Sequence, residues 1–417
     1  MKDVQIKKLI EAEKKRQKKV INLIASENYV PKDVLEALGS ELTNKYAEGY
    51  SGARYYGGNE VSDKVENLCK ERALKLFGLK PDKWSVNVQS LSGSPANLAV
   101  YLALLGGADF AKGSVVPKKI MGMSLDHGGH LTHGHKVSAS GKFWQQVPYG
   151  VNKETEQLDY EEIKKIAQQE KPDIIVAGYT AYSRKIDWSK FREIADAVVY
   201  DDGKRGAYLM ADISHIAGLV AAGEHPSPFS YCDVVTTTTH KTLRGPRAAL
   251  IFANRESKIA EQRGADLAKL IDRAVFPGLQ GGPHLNAIGA VAVSLKEATT
   301  PAFKKYIKQV VKNAKAMSEE FKKLGWRVVS GGTDTHLFLL DTFSQGVSGK
   351  IVSEILESHC IIVNKNTIPF DSRPPVDPSG IRIGTPAETT RGKKEKDFIL
   401  IARKIDKILR NEISSIS

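Results

Sequence analysis

The sequence predicts an α/β protein, with a large domain on a mostly parallel sheet and a smaller α+β domain towards the C-terminus. Three observations lead there. The 417 residues are too many for one compact hydrophobic core and suit two or three domains. From about residue 85 to 255, short apolar, β-branched runs alternate with helix-like stretches, as in strands joined by crossover helices. Beyond about residue 290, long helical patterns and a few short strands replace that alternation.

Residues 3–20 set Ile6, Leu9 and Ile10 at helical spacing among Lys and Glu, which predicts an exposed amphipathic helix, with Val4 off the stripe. The clearest strands are Asp173–Ala177, Tyr208–Ala211, Asp233–Thr237 and Ala248–Ala253. A Gly-rich stretch, Phe276–Pro283, precedes a long helical pattern over 286–324 that breaks near Thr299–Pro301. Short strands follow around 326–330 and 336–340, then helices near 348–358 and 394–411. The expected organisation is an N-terminal arm (1–29), a large α/β domain (30–290) and a small α+β domain (291–417).

Composition narrows the class. With 41% hydrophobic and 26% charged residues, the chain reads as an ordinary soluble globular protein. No window supplies the roughly 20 apolar residues of a membrane helix, and the first segment resembles neither a secretory signal nor a transit peptide, so a cytoplasmic protein with no membrane partner is expected. Cys69, Cys232 and Cys360 are isolated and imply no disulfide framework or metal cluster. The net charge of +13 is compatible with nucleic acid, yet the Lys residues alternate with Glu along helix-like stretches, which points to solvated helix faces and against a nucleic-acid partner.

The chemistry concentrates in a few places. In Val234–Arg247, VVTTTTHKTLRGPR, a β-branched strand runs into His240 and Lys241. A lysine at a strand end can hold an aldehyde cofactor as a Schiff base. Asp212 ends another apolar run 29 residues earlier, with His215 three positions on. Such a carboxylate suits pyridoxal chemistry, in which a protonated ring nitrogen makes the ring an electron sink, although the same residue also serves as a helix cap. Ser92, Gly93 and Ser94 open a helix-like stretch and form either an ordinary turn or a phosphate cradle of hydroxyls and backbone N–H groups. In LDHGGHLTHG, His127, His130 and His133 invite comparison with a metal site, but the glycines imply a loop without supporting ligands, so no metal is expected and His130 is better suited to stacking on a flat cofactor.

Together with LIASEN, LTNKYAEGY, RYYGG, SGSPAN, DISHIAGLVAAG, QGGP, VNKN and GIRIGTPA, these stretches run in one order along the chain, and the sequence resembles the serine hydroxymethyltransferase family over almost its whole length. The resemblance implies a fold-type I, aspartate aminotransferase-like pyridoxal-phosphate transferase. The implied reaction is the reversible conversion of L-serine and tetrahydrofolate to glycine and 5,10-methylenetetrahydrofolate through an external aldimine. It implies pyridoxal 5'-phosphate as a Schiff base on Lys241 and tetrahydrofolate as co-substrate. By resemblance Asp212 partners the ring nitrogen, His130 stacks on the ring, Thr180 and His215 lie near its phenolic oxygen, and Ser92, Gly93, Ser94 and His240 contact the phosphate. Tyr46, Gly281 and Gly282 join them from a second subunit, so a homodimer shares the site, with dimer or tetramer left open. Arg382 and Ser26 hold the substrate carboxylate, and Glu48 with Tyr56, again from the second subunit, handles the proton. Leu125, Gly129, His130, Leu131, Asn366, Pro374, Pro375 and Val376 match folate positions.

Three places depart from the family pattern: residues 198–207 read as a longer surface loop, Pro374–Val376 are less polar than expected, and Asp126 stands beside the folate positions. The nearest rival is a threonine aldolase using the same cofactor without folate, and from another class an RNA-binding protein.

Overall fold

Strand-forming residues in the middle of the chain assemble into a mixed sheet. The computed structural model describes residues 1–106 and 118–416, with side chains up to residue 412. Among these, seven strands form the central sheet: β1 (Trp84–Asn87), β2 (Lys119–Met123), β3 (Gln145–Tyr149), β4 (Ile174–Gly178), β5 (Tyr208–Asp212), β6 (Val234–Thr238) and β7 (Ala249–Asn254), in the order β1-β7-β6-β5-β4-β2-β3. Pairing is parallel from β3 through β2, β4 and β5 to β6, and antiparallel on both sides of β7. The four strands expected from their runs are all present, three displaced by one residue and the fourth, Tyr208–Asp212, one residue longer. The β1, β2 and β3 strands were not singled out from sequence.

Every residue of β4, β5 and β6 is buried, as in a sheet covered on both faces. Alternate residues, Ile174 and Val176, Tyr208 and Met210, Ala249 and Ile251, share one apolar cluster with Ala96, Ala99 and Val100 of the helix Gly93–Leu105. The period of two sends these side chains to the same face, and the helix presents three of its own at a spacing that matches one side.

Packing divides the chain into two compact units, 28–308 and a second one made of 1–27 with 309–417, beside the sequence expectation of boundaries at 29/30 and 290/291. In the second unit, a four-stranded sheet has the order Arg327–Val328, Leu337–Asp341, Gly380–Gly384, Asn364–Asn366. Phe338, Leu340, Ile381 and Ile383 pack with Phe398, Ile401, Ala402, Ile405 and Leu409 of the helix Glu395–Ile416, an apolar stripe at helical period. The N-terminal helix Val4–Lys19 buries none of its residues. Behind it, Ile21–Asn22 pairs in parallel with Ile361–Ile362, and the Asn22 N–H donates to the buried Glu388 carboxylate at 3.0 Å. The long helical pattern is two helices, Leu285–Ala298 and Pro301–Lys323, separated where Pro301 lacks an N–H and so begins the second.

Residues 198–207 form a surface turn with a bridge between Val199 and Arg205. The Arg263 guanidinium lies over the Tyr200 and Tyr208 rings and donates to Gly206 O at 3.1 Å, so the turn is stitched to its own unit.

The parallel pairing of β4 with β5 sets Gly178 opposite Asp212. A Cβ at position 178 would stand 2.4 Å from the Asp212 carbonyl oxygen and 3.0 Å from its Cβ, a clash of backbone that no rotamer relieves. Gly178→Ala is therefore expected to cost about 2 kcal/mol and to lower the melting temperature by about 5 °C. A thermal melt of the apoprotein superimposable on the parent would show that β4 can retreat at no cost.

Candidate functional site

Strand ends place the polar residues of the large unit. Asp212 is the last residue of β5 and is 8% exposed. Its Oδ1 accepts the Ser214 N–H at 3.0 Å, and Oδ2 accepts the Asn97 amide at 2.9 Å and the His133 Nε2–H at 3.1 Å. Burial pushes the Asp212 carboxyl up, but the hydrogen bonds from His133 and Ser214 outweigh it and hold the group far below its ordinary value. The hydrogen positions follow from the backbone. His133 Nδ1 accepts the His130 N–H at 3.4 Å, leaving a proton on Nε2 to face Asp212. His130 Nδ1 accepts the Thr132 N–H at 3.2 Å, which likewise puts its proton on Nε2.

The three histidines of the loop thus serve three different partners. His127 Nδ1 accepts the Val151 N–H at 3.1 Å, His130 turns to Thr132, and His133 to Asp212. Among the described residues, no group of three or more His, Cys, Asp or Glu side chains is arranged to hold a metal. Gly128 and Gly129 let this loop pack closely: the Thr180 and Ala181 N–H groups donate to Gly128 O at 2.7 and 3.0 Å. Leu125, Gly129 and Leu131 lie on the same loop, and Asp126 sits in its single 3-10 turn.

Lys241 and His240 follow β6 on the connection to β7. The connection is braced: the Thr239 hydroxyl donates to Pro246 O at 2.6 Å, the Asn28 amide donates to Lys241 O at 3.0 Å, and the Thr242 hydroxyl donates to the carbonyl of the buried His215 at 3.1 Å. Burial, then the charges of Lys241 and Arg247, push the His240 imidazole down to about 3, and its Nδ1 is buried without a hydrogen-bond partner. The turn Ser92–Gly93–Ser94 abuts the same strand ends. A Cβ on Gly93 would strike Thr238 Cγ2 at 2.7 Å, and the helix it opens has no side-chain cap from Ser92, so its first N–H groups are without an intrahelical acceptor.

A second cluster in this unit gathers Tyr46, Glu48, Tyr56, Gly281 and Gly282. The Tyr46 hydroxyl donates to Glu48 Oε1 at 3.2 Å, and the Tyr46 and Tyr56 rings meet edge-on at 5.1 Å. A Cβ at Gly281 would come 3.1 Å from Glu48 Oε1, and one at Gly282 3.2 Å from the Tyr46 ring. The hydrogen bond to Glu48, then its charge, raise the Tyr46 phenol above its usual range. Arg54 fixes the backbone on both sides of Glu48: its Nη1 donates to Ala47 O at 2.9 Å and Gly49 O at 2.7 Å, while Nη2 and Nε bind Glu66 at 2.7 Å and Asp63 at 2.8 Å.

Arg382 and Ser26 belong to the other unit. Arg382 is the middle residue of Gly380–Gly384, 6% exposed, and its Nε donates to Asn364 Oδ1 at 3.0 Å. Burial pushes its guanidinium down to about 10. Gly384 packs on Ala25, so close that a Cβ there would lie 2.3 Å from the Ala25 Cα, which brings the segment carrying Ser26 onto that strand. Asn366 pairs with Gly380. Pro374, Pro375 and the exposed Val376 occupy a loop tied down by Asp371, which accepts from Ser379 and Arg373.

A family model described as serine hydroxymethyltransferase matches residues 1–405. The chain belongs to the serine hydroxymethyltransferase family. A protein named serine hydroxymethyltransferase from Rickettsia felis is 52% identical over 407 residues, covering 98% of this chain and 90% of its own length. One of the same name from Leptospira biflexa serovar Patoc is 52% identical over 396 residues, covering 95% and 88%. The central sheet and the family together make this a fold-type I pyridoxal-phosphate enzyme.

The chain's residues fit that cofactor. A buried anion at strand ends asks for a cation such as a protonated pyridine nitrogen, and the orphaned His240 Nδ1 asks for a polar neighbour. Residues that sequence reading missed are His133, seen only as a candidate ligand, and Asn97, Thr132 and Ser214, which bind Asp212 or its partners. For Asn97 the available signal was a polar side chain in the otherwise apolar run PANLAVYLALL.

His240 carries a pH dependence. Its folded value of about 3 lies below its ordinary 6.5, so between these values the unfolded chain binds the extra proton and stability falls as the pH drops. Urea melts of the apoprotein are expected to show lower stability at about pH 5 than at neutrality, and His240→Asn should lessen that loss. The same loss in both proteins would assign it to other groups.

Proposed function

We propose that this chain converts L-serine and tetrahydrofolate reversibly to glycine and 5,10-methylenetetrahydrofolate as a homodimeric, cytoplasmic enzyme. The observation that carries the reading is the ionised, buried Asp212 at the end of β5, a strand away from the Lys241 connection, in a chain that matches its family almost end to end. Among the described residues, no helix is long and apolar enough to cross a membrane.

Pyridoxal 5'-phosphate, when bound, supplies a protonated ring that accepts the electron pair left on the amino acid's α-carbon. In this reading Lys241 is its attachment lysine. Asp212 keeps the ring nitrogen protonated by its fixed charge, and His130 offers an imidazole face for stacking. Thr180 and His215, beyond the ends of β4 and β5, would serve the ring's phenolic oxygen. Ser92, Gly93, Ser94 and His240 bind the phosphate, with Tyr46, Gly281 and Gly282 contributed by a partner subunit. The mutual contacts of these last three with Glu48 support their acting as one piece.

Arg382 receives the substrate carboxylate, because a guanidinium gives two parallel donors to two oxygens, and Ser26 assists. Glu48 takes the proton from the serine hydroxyl and returns one to the folate side, with Tyr56 beside it and Arg54 fixing the carbonyls on either side. Leu125, Gly129, His130, Leu131, Asn366, Pro374, Pro375 and Val376 line the pterin. Serine cleavage by the purified protein should depend on tetrahydrofolate, and equal rates without it would favour an aldolase.

Lys241→Arg keeps the charge but cannot form the imine, so turnover is expected to be lost even where cofactor stays bound. Near-parental serine cleavage would remove Lys241 from its role. Arg382→Lys keeps the charge and loses the fork, and serine affinity is expected to weaken by about 2 to 4 kcal/mol, with cofactor content unchanged. A serine titration giving the parental dissociation constant would place the carboxylate elsewhere.

A further inference from the structure

We infer that Asn97 is a positioning residue that ties the stacking imidazole of His130 and the carboxylate of Asp212 into one hydrogen-bonded unit, setting both against the cofactor ring together. The inference rests on the pyridoxal-phosphate reading of the site.

Asn97 sits in the second turn of the helix Gly93–Leu105 and is 1% exposed. Its amide is fully engaged. Nδ2 gives one hydrogen to Asp212 Oδ2 at 2.9 Å and the other to Thr132 Oγ1 at 2.9 Å, and Oδ1 accepts the Thr236 hydroxyl at 2.8 Å. The amide has one workable orientation, because the reverse would set its carbonyl oxygen against a carboxylate. The Thr132 oxygen, holding the Asn97 hydrogen, directs its own hydrogen to His130 Nδ1 at 2.7 Å. The donors therefore run one way, from Thr236 to Asn97, from Asn97 to Asp212 and Thr132, and from Thr132 to His130. Four elements meet at this amide: the helix, β5, β6 and the loop after β2. In a low-dielectric interior such a chain is stiffer than its separate bonds. A change that removes the Asn97 amide takes one donor from Asp212 and one from Thr132, so the carboxylate and the imidazole each lose a support at once, although neither residue has been altered.

A buried amide that merely pinned the helix to the sheet would affect stability alone. Asn97→Ala separates the two roles when compared with the parent in four measurements: the thermal melt, pyridoxal 5'-phosphate affinity, serine kinetics, and the ¹⁵N-histidine NMR spectrum of the apoprotein. The expected result is a cooperative melt, a displaced His130 Nδ1 resonance, cofactor affinity weakened about 10-fold, and kcat lowered about 100-fold with serine KM within about 3-fold. Should the alanine variant not melt cooperatively, Asn97→Asp has the same size and sets a second carboxyl against Asp212. Two such carboxyls share a proton, so its kcat profile should gain an ionisation that the parent lacks. Parental kcat in Asn97→Ala, an unmoved His130 resonance, or a parental pH profile in Asn97→Asp would overturn the inference. If the parent itself fails to cleave serine with tetrahydrofolate, the functional reading falls, while the apoprotein resonance still tests the Asn97 link.

Discussion

A negative charge kept inside a protein needs a complete set of donors, because an unpaired buried carboxylate either costs several kcal/mol or takes up a proton. Asp212 meets that demand with a backbone N–H, an amide and an imidazole. Much of the large unit is arranged around it. Gly178 leaves its backbone room, Asn97 reaches it from a mostly apolar helix, and the histidine loop brings His133 to it. The site stands at the carboxyl ends of parallel strands, where a sheet opens to ligands.

The second cluster follows another logic. The tyrosines and Glu48 remain accessible, and what is buried is the apparatus beneath them: Arg54, Glu66 and Gln89 bind one another and the carbonyls beside Glu48. A guanidinium with five donors can hold two carbonyls and two carboxylates together, so the short hairpin that follows Glu48, Gly49–Tyr50 paired with Ala53–Arg54, gains the rigidity that its length would not supply.

Legibility in the sequence tracked how local each cause was. The strands β4 to β7 announce themselves as short apolar runs, with Val, Ile and Thr dominant in β4 and β6, whereas β2 (KIMGM) contains a glycine and β3 (QQVPY) a proline, which an edge strand tolerates but which hides the pattern. The break before Pro301 was visible because its cause lies in the residue itself. Lys241 and Asp212 stood out by position and by resemblance. His133 did not, since its meaning lies in a carboxylate 79 positions away, and neither did Asn97, whose partners come from three other elements. The first residues likewise gave no hint that Ile21 and Asn22 would pair with Ile361 and Ile362, because a two-residue strand has no period to read.

The reversal of β7 gives Lys241 a particular setting. Parallel neighbours must be joined by long crossovers, but β6 and β7 are antiparallel, so the lysine rides on the return of a hairpin whose two arms are neighbours in sequence. Thr239, Gly245 and Pro246 close that return onto itself, Asn28 and His215 pin it from outside, and its ends are anchored in adjacent strands. The segment that presents Lys241 is thus set by about ten consecutive residues between neighbouring strands, and a change in its length leaves the order and connections of the sheet untouched.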